Sequence, residues 1–266
     1  MASIKSYKKL FGTTLIFSSI KKNRGDFLKY LKQLNFTNFD EHPIQLWKNI
    51  YNKVLSDTRY EYVYKNEMLR LFYNDIMREK KLLLNEVELY SNNIIHNILD
   101  LLIISNDELH AIEIKSDFDT FQRLDNQLPM YCKLFQYVSV FVSDYKVSMV
   151  EQYMDNIGFD NVGIISLDNN NVTTIRPPKS NEDLLDKDLL LENIKIKSPF
   201  TKVQLDRLED IYSFWFSLLQ NDFKLDNEFV SSMPDPLKFY AFSHNYLPSL
   251  KRQRLINYFK KMSIIK

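Results

Sequence analysis

The sequence predicts an α/β protein in which a mixed β-sheet is flanked by helical regions at both ends of the chain. Short apolar stretches bounded by turn residues occupy the middle of the chain and are typical of strands. Stretches with helical spacing separate the later strands, and longer ones come before and after the whole set. We therefore expect a helical, basic N-terminal extension at 1–56, a core at 57–180 and a helical C-terminal region at 181–266.

Helical spacing of apolar residues predicts the N-terminal elements. It indicates helices from Asp26 to Leu34, from Pro43 to Leu55 and from Asp57 to Lys81. Aromatic side chains are interleaved with lysines in this region. That composition is found in surfaces that stack on and neutralise nucleic acid, but aromatic residues at helical spacing more often form a core, and we favour the core interpretation.

The central element is a hairpin from Ile98 to Lys115. Its tip, Asn106-Asp107, tolerates the left-handed backbone that a two-residue turn requires. Such a turn sets Asp100 opposite Glu113 on the neighbouring strand. Because side chains alternate along a strand, Lys115 shares the face of Glu113. The hairpin therefore predicts two carboxylates and one ammonium close together on one surface of the sheet.

This arrangement of charges indicates a cation site. A carboxylate within an apolar strand is costly to bury unless it is paired or bound to a metal, and two neighbouring carboxylates repel each other. Oxygen ligands suit Mg²⁺ or Mn²⁺, which also bind phosphate oxygens. If such a site hydrolyses a phosphate ester, Lys115 could hold or deprotonate the water that attacks the phosphorus atom. The alternative is an exposed sheet edge at which Lys115 merely pairs with Glu113 or Asp100.

The hairpin and the helix after it resemble a known nuclease superfamily. Leu99-Asp100 followed by Glu113-Ile114-Lys115 is similar to the PD-(D/E)XK signature, with Leu99 where a proline often stands. The run Gln127 to Tyr131 is similar to the QxxxY motif of RecB-type members. The stretch from Glu86 to Leu167 also resembles a little-studied family of small bacterial and phage proteins in this superfamily. The resemblance implies a restriction-endonuclease-like αβββαβ core with a mixed central sheet.

The resemblance also implies roles for individual residues. The implied catalytic residues are Asp100, Glu113, Lys115, Gln127 and Tyr131, the metal ligands are Glu88, Asp100 and Glu113, and the substrate-binding residues are Arg123 and Tyr131. Glu67 and Glu86 are alternatives to Glu88 as the third ligand, and all three could instead be exposed side chains. Gln127 and Tyr131 could form only a polar helix surface, and Arg123 could pair with Asp117.

The same patterns assign the rest of the chain. The polar stretches at 91–97 and 168–182 are expected to be loops, and Pro129 is expected to kink or break the helix that contains it. Strands are predicted at 82–90, 137–143 and 161–167, and helices at 121–136, 147–157, 183–200, 201–221, 236–244 and 247–262.

Charge is distributed unevenly along the chain. Residues 1–84 carry a net charge of +8, residues 85–199 carry −10 and residues 200–266 carry +3, although the whole chain carries only +1. An acidic centre suits a metal site, and basic flanks suit an approaching polyanion. An unevenly charged, solvated surface is the alternative interpretation.

Composition excludes several other classes of protein. The single cysteine, Cys132, excludes an internal disulfide and a cysteine-rich metal cluster. No apolar run approaches a membrane span, so we expect a cytoplasmic protein without a membrane partner. Together, the charges of the hairpin and the resemblance imply a Mg²⁺- or Mn²⁺-dependent nuclease acting on nucleic acid, with DNA favoured over RNA and a homodimer left open. The alternative is a catalytically silent, nuclease-like module that binds nucleic acid or a protein in phage–host conflict.

Overall fold

The computed structural model describes residues 9–37, 39, 42–57, 60–78, 80–105, 108–197, 207–221 and 225–264. Over these residues the protein is mixed α/β, with one six-stranded sheet and helices on both sides of it in the sequence. The chain forms two compact units, residues 1–70 with 225–266 and residues 71–224. The domain boundaries expected from the sequence stay predictions.

In the described part of the first half of the chain, four helices with defined bounds come before three strands. In chain order they are α1 (Thr13–Ser19), α2 (Gly25–Gln33), α3 (Pro43–Asp57), α4 (Glu61–Met77), β1 (Leu82–Ser91), β2 (Ile94–Ser105) and β3 (Glu108–Lys115).

A helix precedes each of the next two strands, a last strand follows them directly, and the described elements after it are helical. These elements are α5 (Leu124–Leu134), β4 (Tyr137–Ser143), α6 (Val147–Asn156), β5 (Gly163–Asp168), β6 (Asn171–Arg176), α7 (Lys187–Lys197), α8 (Leu208–Asn221), α9 (Asn227–Ser232), α10 (Lys238–Ser243) and α11 (Ser249–Ile264). Among the residues that the structure describes, no helix combines the length and the apolar character that crossing a membrane requires.

The first unit is helical, and aromatic side chains form much of its core. The ring of Phe11 stacks on that of Tyr62 with centroids 4.1 Å apart, and Phe11 also lies 5.9 Å from Trp47. Trp47 in turn contacts Phe27, and both are almost fully buried. The core interpretation of these N-terminal aromatic residues is therefore confirmed.

The second unit is built on the sheet, whose strands lie in sequence order from β1 to β6. The first three strands are antiparallel, β3, β4 and β5 are parallel, and β6 returns antiparallel to β5. Ser105 pairs with Glu108 and Leu101 with Ile112, so the predicted register of the hairpin is confirmed. The predicted turn at 106–107 lies outside the described residues.

An apolar core fills the space between one face of the sheet and the neighbouring helices. Leu102 and Ala111 contribute to it from the strands, and Leu128 of α5, Leu190 of α7 and Trp215 of α8 contribute from the helices. Burial of these side chains supplies most of the favourable free energy of folding in a unit of this kind. Helix α5 is thereby fixed against the face of the sheet to which the side chain of Ala111 points.

Two segments expected to be loops are part of the sheet. Strand β2 begins at Ile94, directly after Asn92 and Asn93, whose φ angles are 56° and 60°. Strand β6 follows Asn169, whose φ is 52°. Asparagine tolerates this left-handed backbone and so allows two-residue hairpin turns. The residues at 92–93 and 169–170 are therefore hairpin turns. The expectation of a loop was wrong for 94–97 and for 171–176, which are strands, whereas residues 177–181 are irregular as expected.

The helix after the central hairpin continues through its proline. Pro129 lies inside α5, which runs unbroken from Leu124 to Leu134. The expected break at Pro129 is therefore absent, although proline removes one helical hydrogen bond. Because the helix is continuous, Gln127 and Tyr131 stay four residues apart on one face.

Candidate active site

The candidate site lies where β3 ends beneath α5. Glu113 and Lys115 lie two and four residues after Ala111 on β3, so their side chains are on the same face of the sheet as Ala111. Ala111 is part of the core between the sheet and α5. Both charged residues are buried, with 3 % of Glu113 and 4 % of Lys115 exposed. Two charged groups at this depth require hydrogen-bond partners, because burying an unpaired charge is very unfavourable.

Residues of α5 supply those partners. Lys115 Nζ donates to Glu113 Oε1 at 2.6 Å and to Gln127 Oε1 at 2.7 Å. Gln127 Nε2 donates to Glu113 Oε1 at 2.7 Å, and the Tyr131 hydroxyl donates to Glu113 Oε2 at 2.9 Å. The Glu113 carboxylate thus accepts three hydrogen bonds, and the side chain of Gln127 bridges the acid and the amine.

Asp100 lies on β2 two residues before Leu102, on the face that Ala111 and Glu113 share, and the β1–β2 ladder is interrupted beside it. The pairing omits one residue of β1, Glu86, whose φ is 55° and which lies opposite Asp100 in the register. On its other side, Asp100 Oδ2 accepts a hydrogen bond from the backbone N–H of Ile114 at 2.8 Å. This bond fixes the Asp100 carboxylate at the end of the β2–β3 pairing, within one residue of Glu113 on the neighbouring strand.

The environment of Tyr131 indicates that the two carboxylates converge. Burial raises the pKa of Tyr131 well above its ordinary value, and the charge of Glu113, the hydrogen bond to Glu113 and the charge of Asp100 raise it further. Both carboxylates therefore act on one hydroxyl group. The hydroxyl stays protonated and serves as a donor at any physiological pH. We call Asp100, Glu113, Lys115, Gln127 and Tyr131 the candidate site.

Glu88 is not part of this group. Val87 and Leu89 point into the core, so Glu88 between them points away, is exposed, and accepts a hydrogen bond from the Tyr90 hydroxyl at 2.6 Å. A regular strand would have placed Glu88 on the same face as Leu84, which packs against the core, but the left-handed residue at 86 reverses the alternation. Within the described ranges, no three His, Cys, Asp or Glu side chains are arranged to hold a metal ion.

The other residues singled out in the sequence lie elsewhere. Glu67 is a residue of the first unit, where its carboxylate accepts a hydrogen bond from Tyr51 and pairs with Arg70 at 2.6 Å. Glu86 is exposed at the interruption of β1. Arg123 is exposed at the N-terminus of α5. The roles proposed for these residues from the family resemblance stay predictions.

Sequence reasoning missed Lys146, which holds the turn after the candidate site. Its side chain is buried, and Nζ donates to the backbone oxygens of Ser116 at 2.6 Å and Asp119 at 2.9 Å. Burial lowers the pKa of Lys146, while the charges of Asp117 and Asp119 oppose that shift. The Asp119 carboxylate also accepts a hydrogen bond from the Ser116 backbone N–H at 2.9 Å. Lys146 therefore binds both the first and the last residue of the turn from Ser116 to Asp119.

The span that contains the candidate site matches a known protein family. The model of the family described as "Bacteriophage P4 protein cII" matches residues 55–214, more than half of the 266 residues. The chain belongs to the bacteriophage P4 protein cII family. The matched span includes every residue of the candidate site and the whole of the sheet.

A curated member of the cII family and one solved structure are also similar to the chain. Protein cII of Enterobacteria phage P4 is 36 % identical over 70 residues, which cover 26 % of this chain and 25 % of that protein. The solved structure is the SPO1766 protein of unknown function from Silicibacter pomeroyi, 12 % identical, with a TM-score of 0.33 over 54 % of this chain and 94 % of that one.

The donor set of this cII-family chain fits a hydrated magnesium or manganese ion. Mg²⁺ is usually bound by one or two carboxylates together with waters and substrate phosphate oxygens. Asp100 and Glu113 could supply the two carboxylates. Among the described residues, Glu113 Oε2 accepts one hydrogen bond, from Tyr131, whereas Oε1 accepts two, so Oε2 is the oxygen better suited to a cation.

Proposed function

We propose that this chain is a Mg²⁺- or Mn²⁺-dependent nuclease that hydrolyses phosphodiester bonds in DNA. The observation that carries the proposal is the buried ion pair of Glu113 and Lys115, next to the point where the Asp100 carboxylate of the neighbouring strand accepts a hydrogen bond from the Ile114 N–H. The order of α4, β1 to β3, α5, β4, α6 and β5 supports a restriction-endonuclease-like αβββαβ core.

Each side chain of the site has a defined task in the proposed reaction. A divalent cation held by Asp100 and Glu113 would stabilise negative charge on the phosphate and lower the pKa of a bound water. Lys115 has three N–H donors, of which Glu113 and Gln127 accept two. The third can hold the attacking water or screen a phosphate oxygen.

Gln127 and Tyr131 act by positioning the groups beneath them. Gln127 bonds to both Glu113 and Lys115, so it sets the distance between the acid and the amine. The raised pKa of Tyr131 keeps its hydroxyl a donor to Glu113. That bond orients the carboxylate plane, which decides where a cation can bind.

Cleavage and metal binding test the proposal together. Supercoiled, linear duplex and single-stranded DNA are incubated with purified protein and Mg²⁺ or Mn²⁺, with EDTA as the negative control. Wild-type protein cleaves at least one substrate, and Lys115→Met lowers the rate about 100- to 1,000-fold. Asp100→Asn, which retains an acceptor for the Ile114 N–H, loses Mn²⁺ binding in calorimetry. Inactivity of the wild type on every substrate, or wild-type rates for Lys115→Met, would contradict the proposal.

A catalytically silent module with a nuclease-like core is the second candidate. The observation that favours it is the hydrogen bonding of Glu113, which is 3 % exposed and has protein donors on both oxygens. Such a group is satisfied without any cation. A silent module would bind nucleic acid or a protein in phage–host conflict, and its Mn²⁺ titration would be the same for the wild type and Asp100→Asn.

A further inference from the structure

A stack of three aromatic rings ends at the surface of the first unit. Tyr240 is fully buried, and its ring lies 4.3 Å from that of His244, with 25° between the planes. His244 lies 5.6 Å from Tyr246 with 27° between the planes. Tyr246 is 77 % exposed, so the stack ends in a ring that faces solvent. An aromatic ring in this position can take one more flat ring on its open face.

The segment that carries Tyr246 is firmly held. Arg252 of α11 donates through Nη1 to the backbone oxygens of Asn245 and Leu247, both at 2.7 Å. The Arg252 guanidinium also pairs with the Asp226 carboxylate at 2.9 Å, and the Asp226 backbone N–H donates to Asn245 Oδ1 at 2.8 Å. The residues on either side of Tyr246 are thus bound to one guanidinium. The backbone that carries the exposed ring is therefore held in place, which lowers the entropy lost when a ligand binds.

The helix that follows this ring is strongly basic. Helix α11 contains five Lys or Arg residues and no Asp or Glu: Lys251, Arg252, Arg254, Lys260 and Lys261. Arg252 and Lys260 pair with acids of the first unit. Lys251 and Arg254, in the first two turns, are exposed and have no described ion-pair partner. Two positive charges therefore lie in the first turns of the helix that begins three residues after Tyr246.

We propose that Tyr246, Lys251 and Arg254 form a binding surface for single-stranded nucleic acid. Proteins that bind single strands combine aromatic rings, on which bases stack, with cations that neutralise the backbone phosphates. Leu250 is 85 % exposed beside them and adds apolar area for the edge of a base or sugar. A duplex keeps its bases stacked inside and offers no free base face to Tyr246. The positive charge of Lys251 and Arg254 favours this occupant, because a nucleic-acid backbone carries the complementary negative charge on its phosphates.

This surface belongs to the first unit and does not depend on the proposed nuclease activity. Binding can therefore be measured in EDTA, where no metal-dependent cleavage takes place. Fluorescence anisotropy of the full chain is recorded with labelled oligo-dT and oligo-U of about 15 nucleotides, a length within the range of single-strand sites. A DNA duplex of equal length serves as the comparison, and the two single strands separate DNA from RNA as the source of the bases.

The aromatic variants test the stacking. Tyr246→Ala and Tyr246→Leu each weaken binding of the better single strand about tenfold, while Tyr246→Phe stays within about twofold. A wild type that binds neither strand at low salt, or that binds duplex equally well, overturns the proposal. Wild-type affinity for Tyr246→Leu also overturns it, because that result indicates a generic apolar contact rather than base stacking.

The charge variants test the phosphate contacts. In Lys251→Gln/Arg254→Gln the slope of log affinity against log salt decreases by about 1.4, since each single-strand contact contributes about 0.7. The matched control is Lys187→Gln/Lys195→Gln, which removes the same charge from α7 and leaves the slope unchanged. Equal slopes for both double variants overturn the proposal.

Discussion

Two buried glutamates, one in each unit, are held by similar partners. Glu113 and Glu67 are 3 % and 2 % exposed, and each accepts a hydrogen bond from a tyrosine and pairs with a cation at 2.6 Å. The cations differ in their surroundings. The side chain of Lys115 is 5 % exposed, whereas that of Arg70, beside Glu67, is 38 % exposed.

The difference shows what a buried carboxylate alone can indicate. Tyr51, the donor to Glu67, has its pKa raised by burial and by the charge of Glu67, and no second carboxylate contributes. Tyr131, the donor to Glu113, is also affected by the charge of Asp100. A tyrosine, a cation and a buried glutamate make an ordinary structural network. The second carboxylate and the fully buried amine distinguish the candidate site.

Removing each negative charge should separate the two networks most strongly. Under the proposed function, Glu113→Gln lowers the DNA cleavage rate about 1,000-fold, because it removes one of the two charges that would bind the cation. Glu67→Gln should cleave at the wild-type rate. Initial rates with Mn²⁺ measure both, and circular dichroism verifies that both variants are folded. An equal loss of activity in the two variants would mean that the distinction between the networks is wrong.

Removing each cation should separate the networks by stability. Lys115→Ala leaves Glu113 buried beside an unfilled space, and we expect a loss of about 4 kcal/mol in the free energy of unfolding. Arg70→Ala should lose about 2 kcal/mol, because Arg70 reaches solvent and water can replace part of it near Glu67. Urea denaturation followed by circular dichroism measures both values. A larger loss for Arg70→Ala would contradict this ranking.

His110, a half-buried residue of β3, provides a test of stability against pH. Burial lowers the pKa of His110 from 6.5 to about 4, and its Nε2 lies 2.8 Å from Ser139 Oγ. The unfolded chain binds the proton more tightly, so the folded state is fully favoured above pH 6.5 and loses stability as the pH falls toward 4. The loss should reach up to about 3 kcal/mol.

Variants of the histidines isolate that contribution. His110→Gln should reduce the difference in unfolding free energy between pH 7 and pH 4 by up to about 3 kcal/mol, measured by urea denaturation at each pH. His96→Gln is the matched control, because His96 is exposed on β2. The same pH dependence in His110→Gln as in the wild type would show that this histidine carries no linked proton.

Local rules predicted most of the candidate site. A two-residue turn sets the register of the hairpin, alternation puts Glu113 and Lys115 on one face, and a spacing of four puts Gln127 and Tyr131 together. Each of these rules depends on residues close in the sequence. The structure agrees with the predicted register and with both spacings, since the four side chains form one hydrogen-bonded group.

What the sequence could not predict depends on single backbone angles or distant contacts. The left-handed φ of Glu86 reverses the alternation of β1 and turns Glu88 away from the site, and glutamate gives no local signal for that conformation. Lys146 contacts the backbone of Ser116 and Asp119 from 27 to 30 residues away. The sequence signal that could have indicated this contact is the prediction of two strands that end at the same edge of the sheet. Such an arrangement brings the residues before α6 near the turn after β3.

The smallest expected difference concerns the two tyrosine hydroxyls. Tyr131→Phe removes one donor from Glu113, which keeps its two other donors, so we expect a loss of about 1 kcal/mol. Tyr51→Phe should cost about 2 kcal/mol, because the Tyr51 hydroxyl also accepts a hydrogen bond from Asn66 Nδ2 at 3.0 Å, and that donor would be left unsatisfied. Urea midpoints at pH 7 measure both, and the phenylalanine ring fills the same space in each. A greater loss for Tyr131→Phe would show that Glu113 depends on this one donor more than its three hydrogen bonds suggest, and that the carboxylate is held less firmly by Lys115 and Gln127 than the distances indicate.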